Sequence, residues 1–408
     1  MKKIVIINHS DTKGGASVVS YRLMQALCAR GVDARMVVTD KQTDSLRVSE
    51  AGTPGQCRRS FLKECLQIYT QNGFNRDDLF KISTGTYGLP IHKHPWVQDA
   101  DAIILGWINQ GTMSLDEIVK LHQMGKPIAW TLHDMWPVTG VCHHAGTCTR
   151  YMDSCGNCPL ICGGKKAHDL SWRVFRHKSQ VYDQVPIDFV AISHWMAEKC
   201  AASALTANQR ITVIPNAFPI DDYSTIPTVS RGQLGLPPVL PLVVMGAARL
   251  DDPVKDLPLA VETLNAVADS GVRCAAVFYG EIRDSHALDG LKVPYVSLGT
   301  INMRQVAQIY THAAVVLSTS RYETLPGTLI EGMAGGAVPV ATSSGGQPDI
   351  IDHGVNGYLA QSRDPRELAD LIVRAIGAPF GRSAQHASVV AKFSSYAVAD
   401  KYIRLFNL

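Results

Sequence analysis

Two successive runs of short β-rich segments, each alternating with stretches of helical character, constrain this chain more than any other feature. The first run comprises KIVIIN (3–8), ARMVVTD (34–40), AIILGW (102–107), PIAWTLHD (127–134), DFVAIS (188–193) and ITVIPN (211–216). After the polar, proline-bearing stretch DDYSTIPTVSRGQLGLPP (221–238) the rhythm restarts. LVVMGAA (242–248), AAVFYGE (275–281), YVSLGT (295–300), AAVVLSTS (313–320) and VPVATS (338–343) follow. Such alternation is that of a parallel sheet wound with helices, so the expected fold class is α/β with two doubly wound, Rossmann-like domains. Residues 1–220 would form the first domain, 221–390 the second, and 391–408 a closing helix that could cross back to the first. Two such domains would face each other across a cleft at the carboxyl ends of their strands, where ligands of these folds bind.

Composition narrows the function classes. A chain of 408 residues, 46% hydrophobic and 18% charged, has the make-up of a globular protein with room for two cores. A net charge of +3 is too small to argue for nucleic acid, and no nucleic-acid-binding signature occurs. The start, MKKIVIINHS, has an apolar run of four residues followed by polar ones, which reads as a strand and not as a signal peptide. No uninterrupted apolar stretch approaches the length of a membrane span, and the expected location is cytoplasmic.

The segment RYETLPGTLIE (321–331) carries two carboxylates eight positions apart with a Pro-Gly pair between them. In one uninterrupted helix they would lie about 80° apart around the axis and about 12 Å along it, which is no acid/base dyad. Proline is tolerated in a first helical turn, so AAVVLSTS reads as a strand, RYETL as a loop and PGTLIEGMA as the next helix. Glu323 then precedes the helix and Glu331 lies within it. Between them are the free N–H groups of a helix start, which suit a phosphate. A ligand with hydroxyls on both sides of a diphosphate, such as a nucleotide sugar, would match.

Five of ten cysteines crowd into residues 142–162, in the pattern Cys142-x5-Cys148-x6-Cys155-x2-Cys158 with Cys162 beyond and His143 and His144 beside the first. In a reducing compartment four thiolates on a loop-rich segment suit a structural tetrahedral zinc, although one CxxC alone is not a standard ribbon. An iron–sulfur cluster, buried thiols or disulfides remain alternatives. The following KKAHDLSWRVFRHKSQVYDQ (165–184) is basic and aromatic together. It reads as a helix with a solvated basic face, or as a contact for anionic lipid at the inner face of a membrane.

With these residues assembled, the chain resembles the retaining glycosyltransferases of family 4, which have the two-domain GT-B fold. The likeness extends over nearly the whole length. Beyond the Glu323 and Glu331 pair it rests on GGAS (14–17), TLHD (131–134), IPNAF (214–218), ARLDDPVK (248–255), and SSGGQPDII with HGVNGYL (343–359). TLHDMWPVTGVCHH…CGNCP is similar to a bacterial branch that builds capsular, colanic-acid-like or O-antigen polysaccharides. Each element alone has a plainer explanation: Gly-Gly as a tight turn, His133 as a core histidine, Glu331, Arg249 and Lys255 as surface charges. Their joint occurrence in order selects the functional reading.

The resemblance implies that Glu331 binds the ribose hydroxyls and Glu323 a hydroxyl of the donor sugar. Arg249 and Lys255 would neutralise the leaving diphosphate, although five residues separate them here where the family more often has four. His133 would sit at the sugar. Gly14 and Gly15 would admit a phosphate or acceptor, and Gly280, Thr324, Leu325 and Pro326 would line the donor site. The implied activity is transfer of a hexose to a glycan or a polyprenyl-diphosphate-linked glycan, without a catalytic metal. Of the adjacent acidic pairs, Asp77-Asp78, Asp116-Glu117, Asp221-Asp222 and Asp251-Asp252, none stands in the context of a metal-binding pair. Competing expectations are a nucleotide-sugar epimerase, which would need no acceptor, and a non-enzymatic metal or redox protein built on the cysteines.

Overall fold

The computed structural model describes residues 1–76, 80–161, 166–220, 223, 229–377 and 380–407. Its internal contacts divide the chain into two units, Met1–Ala217 with Val398–Leu408, and Phe218–Ala397. Cys162, Asp77-Asp78, Asp221-Asp222, Lys165 and most of the 221–228 stretch lie outside the described residues. The remainder of the expected linker belongs to the second unit, where the Arg231 guanidinium donates to the carbonyls of Leu240 at 2.8 Å and Pro237 at 3.2 Å.

The first unit holds β1 (Lys3–Ser10), β2 (Asp33–Asp40), β3 (Val48–Glu50), β4 (Ala102–Leu105), β5 (Ile128–Leu132), β6 (Asp188–Ala191) and β7 (Arg210–Val213), all parallel in the order β3-β2-β1-β4-β5-β6-β7. Successive side chains of a strand point to opposite faces, and here both faces are covered. Val5 and Ile7 join Ile103, Leu105, Trp130 and Phe189 in one core. Ile4 and Ile6 join Leu23, Met24 and Leu27 of the helix Gly15–Ala29 in the other. Into that second core the end of the chain returns: Val398, Ala399 and Tyr402 are buried there, and the Tyr402 hydroxyl meets Thr131 Oγ1 at 2.8 Å.

The second unit holds β8 (Leu242–Arg249), β9 (Ala275–Glu281), β10 (Tyr295–Ser297), β11 (Ala313–Ser318), β12 (Val338–Thr342) and β13 (Tyr358–Ala360), again parallel, in the order β10-β9-β8-β11-β12-β13. One face packs on the helices Leu257–Asp269 and Pro365–Gly377. On the other, the helix Gly327–Ala334 lies close against β11, because a Cβ on Gly332 would come within 2.6 Å of Val316.

The two strands absent from the expectation, β3 and β13, are three-residue edge strands, too short for a periodic signal, and YVSLGT is strand only as far as Ser297. The chain's end breaks at Ser394 into two helices, Arg382–Phe393 and Ser395–Leu405. Among the described residues no helix is long and apolar enough to cross a membrane.

Tyr402→Phe strands the buried Thr131 hydroxyl and is expected to cost about 1–2 kcal/mol, whereas Tyr402→Ala also opens a cavity and should cost about 3–5 kcal/mol. Urea midpoints of the two variants measure the difference; equal small shifts would mean that this helix does not anchor the first unit's core.

Candidate active site

In the second unit the sheet order reverses direction of winding between β8 and β11, so the loops leaving these neighbouring strands run side by side. β8 ends in Arg249 and continues through 250–256; β11 continues through 319–326 into the helix Gly327–Ala334. The expected strand, loop and helix around RYETLPGTLIE are therefore present, with Glu323 on the loop and Glu331 in the helix. The loops are tied together by backbone and side chain. Arg321 N–H donates to the Val254 carbonyl at 2.8 Å, and Thr319 Oγ1 donates to the carbonyls of Lys255 and Asp256 at 2.9 and 3.0 Å. Asp256, with φ 51°, accepts ion pairs from Arg321 at 2.9 Å and Arg363 at 2.7 Å.

The Lys255 ammonium lies in direct contact with Glu323 Oε1, which also accepts from Ser320 Oγ at 3.1 Å. The extra residue between Arg249 and Lys255 thus does not turn the lysine away from the site. Its partner in this structure is the carboxylate expected to meet the sugar. Arg249 faces Asp251 at 3.4 Å and Asp252 at 3.6 Å, and neither its Nε nor Asp251 Oδ1 has a hydrogen-bond partner across that gap. The backbone of Glu323 is held by a Gly-Gly pair that the sequence marked without a role. Gly346 N–H donates to the Glu323 carbonyl at 2.8 Å, and a Cβ on Gly345, at φ +58°, would stand 2.2 Å from that oxygen.

The helix that follows starts at Pro326 without a side-chain cap, so its first amides are unclaimed by any cap side chain. Thr324, Leu325 and Pro326 form the approach to it. Glu331, one turn further on, is only 8% exposed and so is no solvated surface charge. Burial first and then the charge of Glu331 push the Tyr279 hydroxyl up, and Tyr279 shares a 2.8 Å hydrogen bond with Tyr310. Gly280, beside Tyr279 in β9, has φ +116°, and a Cβ there would strike the Ala247 carbonyl. Its local role is therefore close strand packing.

In the first unit the loops after β1, β4 and β5 carry the other expected residues. Gly14, at φ 94°, and Gly15 open the helix Gly15–Ala29, with no side-chain cap and open space around both. His133 follows β5. Its Nε2 is 3.4 Å from Ser20 Oγ, and its ring lines a small cavity with Thr131, Asn216 and Tyr402. Burial pushes its pKa down to about 4, partly opposed by Asp134. The Asp134 carboxylate is hydrogen-bonded elsewhere, accepting from Trp107 Nε1 at 2.7 Å and meeting His143 Nδ1 at 2.6 Å, while His143 Nε2 reaches Ser83 Oγ at 3.1 Å. This chain of buried contacts holds the loop that presents His133, and only residue adjacency hinted at it.

Cys142, Cys148, Cys155 and Cys158 line one cavity of the first unit. Among the described residues no three His, Cys, Asp or Glu stand at metal-holding spacing. Burial pushes the Cys155 thiol up to about 12 and the Cys158 thiol up to about 11. The adjoining helix Leu170–Tyr182 departs from the expected solvated basic face at one position. Arg173 and Arg176 are exposed, but Lys178 is fully buried because it lies on the stripe with Val174, Phe175 and Val181. The two acidic pairs among the described residues are engaged by basic side chains: Asp116 with His177, Glu117 with His92 and Lys120, Asp251 and Asp252 with Arg249.

Residues 241–377, the greater part of the second unit, match the family described as "Glycosyl transferases group 1". The colanic acid biosynthesis glycosyl transferase WcaC of Escherichia coli (strain K12), so described, is 26% identical over 166 residues, 39% of this chain and 40% of that protein. A poly(ribitol-phosphate) alpha-N-acetylglucosaminyltransferase of Staphylococcus aureus (strain COL) is 31% identical over 99 residues, 23% of this chain and 20% of that one. The match thus spans two fifths or less of these curated relatives. Among solved structures, a glycosyltransferase of Rickettsia africae superposes with a TM-score of 0.68 at 12% identity over 100% of this chain and 98% of that one. Anabaena Alr3699/HepE, solved with UDP and glucose, gives 0.60 at 18% identity over 100% of both. The fold is accordingly that of the GT-B glycosyltransferases, α/β with two Rossmann-like parallel-sheet domains.

A histidine whose native pKa lies near 4 while its unfolded pKa is 6.5 stays neutral through the working range. Its contribution to stability is complete above pH 6.5 and is lost as pH falls from there toward 4, because the unfolded chain takes up a proton that the native site refuses. An NMR titration of the His133 ring, assigned by comparison with His133→Gln, should show no native-state midpoint near 6.5.

Proposed function

We propose that this protein is a retaining, metal-independent glycosyltransferase of family 4 that moves a hexose from a nucleoside diphosphate sugar to a hydroxyl of a growing bacterial surface glycan. The observation that carries the reading is the constellation at the carboxyl ends of β8 and β11. Glu323 and the buried Glu331 flank an uncapped helix start, with Arg249 and Lys255 on the adjoining loop. Donor and acceptor classes rest on the resemblance and on the names of the relatives.

In this reading the diphosphate sits at the helix start, where unclaimed amides and the helix dipole favour negative charge. Glu331 accepts the ribose hydroxyls, since an ionised carboxylate takes two O–H donors well. Glu323 does the same for the sugar. In the free protein Lys255 neutralises Glu323; an arriving diphosphate competes for the ammonium and leaves the carboxylate available to sugar hydroxyls. As the bond between the anomeric carbon and the phosphate oxygen breaks, the acceptor oxygen bonds to the same face of that carbon. The acceptor proton passes to the leaving phosphate oxygen, so no protein base is required. Arg249 stabilises the charge that grows on the diphosphate, and His133, neutral, positions the sugar. The acceptor would be a glycan or its polyprenyl-diphosphate-linked form, approached from the cytoplasmic side. The exposed Arg173 and Arg176 offer a peripheral contact to anionic lipid there.

Calorimetric titration with UDP, GDP and ADP should identify one nucleotide whose affinity falls in Glu331→Ala by about 1.5–3 kcal/mol, while Glu323→Ala slows transfer with nucleotide affinity nearly unchanged. Unaltered affinity in Glu331→Ala removes the core of the assignment. Arg249→Ala should lower turnover more than donor affinity, because a fixed guanidinium acts most where charge develops. Strict dependence on added Mg²⁺ or Mn²⁺, with Arg249→Ala turning over normally, would overturn the proposed chemistry.

A further inference from the structure

Apolar side chains exposed singly are ordinary on a protein surface, but four large ones gather here in one corner of the first unit. Leu62, Leu66, Phe74 and Phe80 are each between 51% and 65% exposed. They belong to the helix Pro54–Gln71 and to the segment that follows it. A capping box fixes the start of that helix: Gln56 N–H donates to Thr53 Oγ1 at 3.3 Å, and Thr53 N–H to Gln56 Oε1 at 2.9 Å. Ser60, Glu64 and Ile68, spaced by one helical turn, form its buried stripe. Arg58, Leu62 and Leu66, at the same spacing on the opposite side, therefore face solvent, with Arg59 and Lys63 exposed along one flank. Along the other flank run Phe61, Cys65 and Tyr69, all half-buried. Phe80 stacks on Phe61 with ring centres 6.4 Å apart, and Phe74 meets Tyr69 edge-on at 5.4 Å. The two exposed phenyl rings thus widen the leucine stripe into one apolar patch.

The charge of this corner is one-sided. Among the described residues from 54 to 87, outside which Asp77 and Asp78 lie, the cations Arg58, Arg59, Lys63, Arg76 and Lys81 are all exposed and the one acid, Glu64, is buried. Lys63 lies over the Tyr87 ring at 5.8 Å and Arg76 over the Tyr69 ring at 5.5 Å, so their charges sit directly against aromatic surface. Arg173, exposed on the helix Leu170–Tyr182, adjoins the same corner and donates to Gln71 Oε1 at 2.8 Å. Glu64 turns inward instead. It accepts from the N–H groups of Thr84, at 2.8 Å, and Gly111, and Ser60 Oγ donates to the Gly111 carbonyl at 2.7 Å. The helix is thereby fastened to the loop after β4, at the carboxyl edge of the sheet.

We propose that this face docks on an anionic lipid bilayer, with Leu62, Leu66, Phe74 and Phe80 entering the boundary between headgroups and acyl chains and Arg58, Arg59, Lys63 and Arg76 lying among the phosphates. A convex helix face with apolar side chains at its crest and cations beside them matches a surface that is continuous, negatively charged and apolar beneath. The long stems of arginine and lysine lie along the apolar patch while their charged ends reach the phosphates. A second copy of this chain would set the same cations against each other, which like-charge repulsion opposes. Because Gly111 ties the helix to the loop after β4, docking brings the carboxyl edge of the first sheet to the membrane surface, where a lipid-linked acceptor is presented. That last consequence rests on the acceptor class proposed above. The docking itself does not, and vesicle binding measured without any sugar substrate tests it apart from the glycosyltransferase reading.

The test is cosedimentation of the full-length protein with vesicles of phosphatidylcholine and phosphatidylglycerol, and with vesicles of phosphatidylcholine alone. The anionic vesicles should bind it at least about tenfold more strongly than the neutral ones, and added salt should weaken that binding. Leu62→Ser/Leu66→Ser, at exposed positions, should melt with the wild type yet partition about tenfold more weakly. Arg58→Ala and Arg59→Ala should each weaken partition about fivefold. Wild-type protein that stays in solution with anionic vesicles, or binds neutral ones equally, overturns the proposal without requiring any variant to fold. So does binding that Arg173→Ala/Arg176→Ala abolishes and the leucine double variant leaves unchanged. A dimer in sedimentation velocity that the leucine variant dissociates would show that a second copy covers the face, and overturns it as well.

Discussion

A parallel strand cannot be joined to its neighbour by a tight turn, and this one restriction arranges nearly everything of functional interest here. Every chain segment must return across a face of the sheet before the next strand begins, so the loops that leave the strands gather at the carboxyl edge. In the second unit the winding reverses between β8 and β11, and the loop ending in Lys255 is laid against the loop that carries Glu323. In the first unit the corresponding neighbours are β1 and β4. There Trp107 N–H donates to Asn8 Oδ1 at 2.6 Å and His9 N–H to the Trp107 carbonyl at 2.8 Å, knitting the strand ends together. The chemistry-bearing side chains are close because their strands are adjacent, although tens of residues separate them along the chain.

Each unit also disposes of its charges in a characteristic way. In the second, acids and bases meet in a partly solvated network. Asp256 takes two arginines, Arg249 faces two aspartates, and Lys255 rests on Glu323. Pairs of this kind, exposed on one side, contribute little to stability and can exchange partners at small cost when an anionic ligand arrives. In the first unit the ionisable groups after β5 are enclosed. Asp134, His143 and Lys178 are buried, and each is held by hydrogen bonds that a side-chain rotation would break. Such a network specifies one arrangement of the loop after β5 and leaves His133 little freedom. The contrast separates a surface adapted to receive charge from a framework that fixes geometry.

Legibility followed the range of the forces involved. Eleven strands were readable from apolar runs, most of them buried; β10, itself three residues and largely exposed, was found only through the longer run YVSLGT. β3 and β13, three residues each at the sheet edges, leave no such trace. The loop and helix around Glu323 and Glu331 were readable because proline and glycine restrict the backbone within a few residues. The pairing of Lys255 with Glu323, 68 positions on, was not; nor was the cradle that Gly345 and Gly346 form for the Glu323 carbonyl. Lys178 was hidden within a basic stretch, since the same lysine suits a solvated face or a core stripe until the helix's orientation is known.

By itself, then, the order of residues determined which segments become strands and helices, that the sheets would be parallel and doubly wound, and where a helix start would stand between two carboxylates. These follow from local backbone preference and from the period of apolar residues, which act over a few positions. Tertiary structure alone decided which charges meet, which of them are buried, and which loop holds which. Partners of that kind are selected by the order of strands in the sheet and by the packing that removes water around them. Neither is written in any short stretch of the chain.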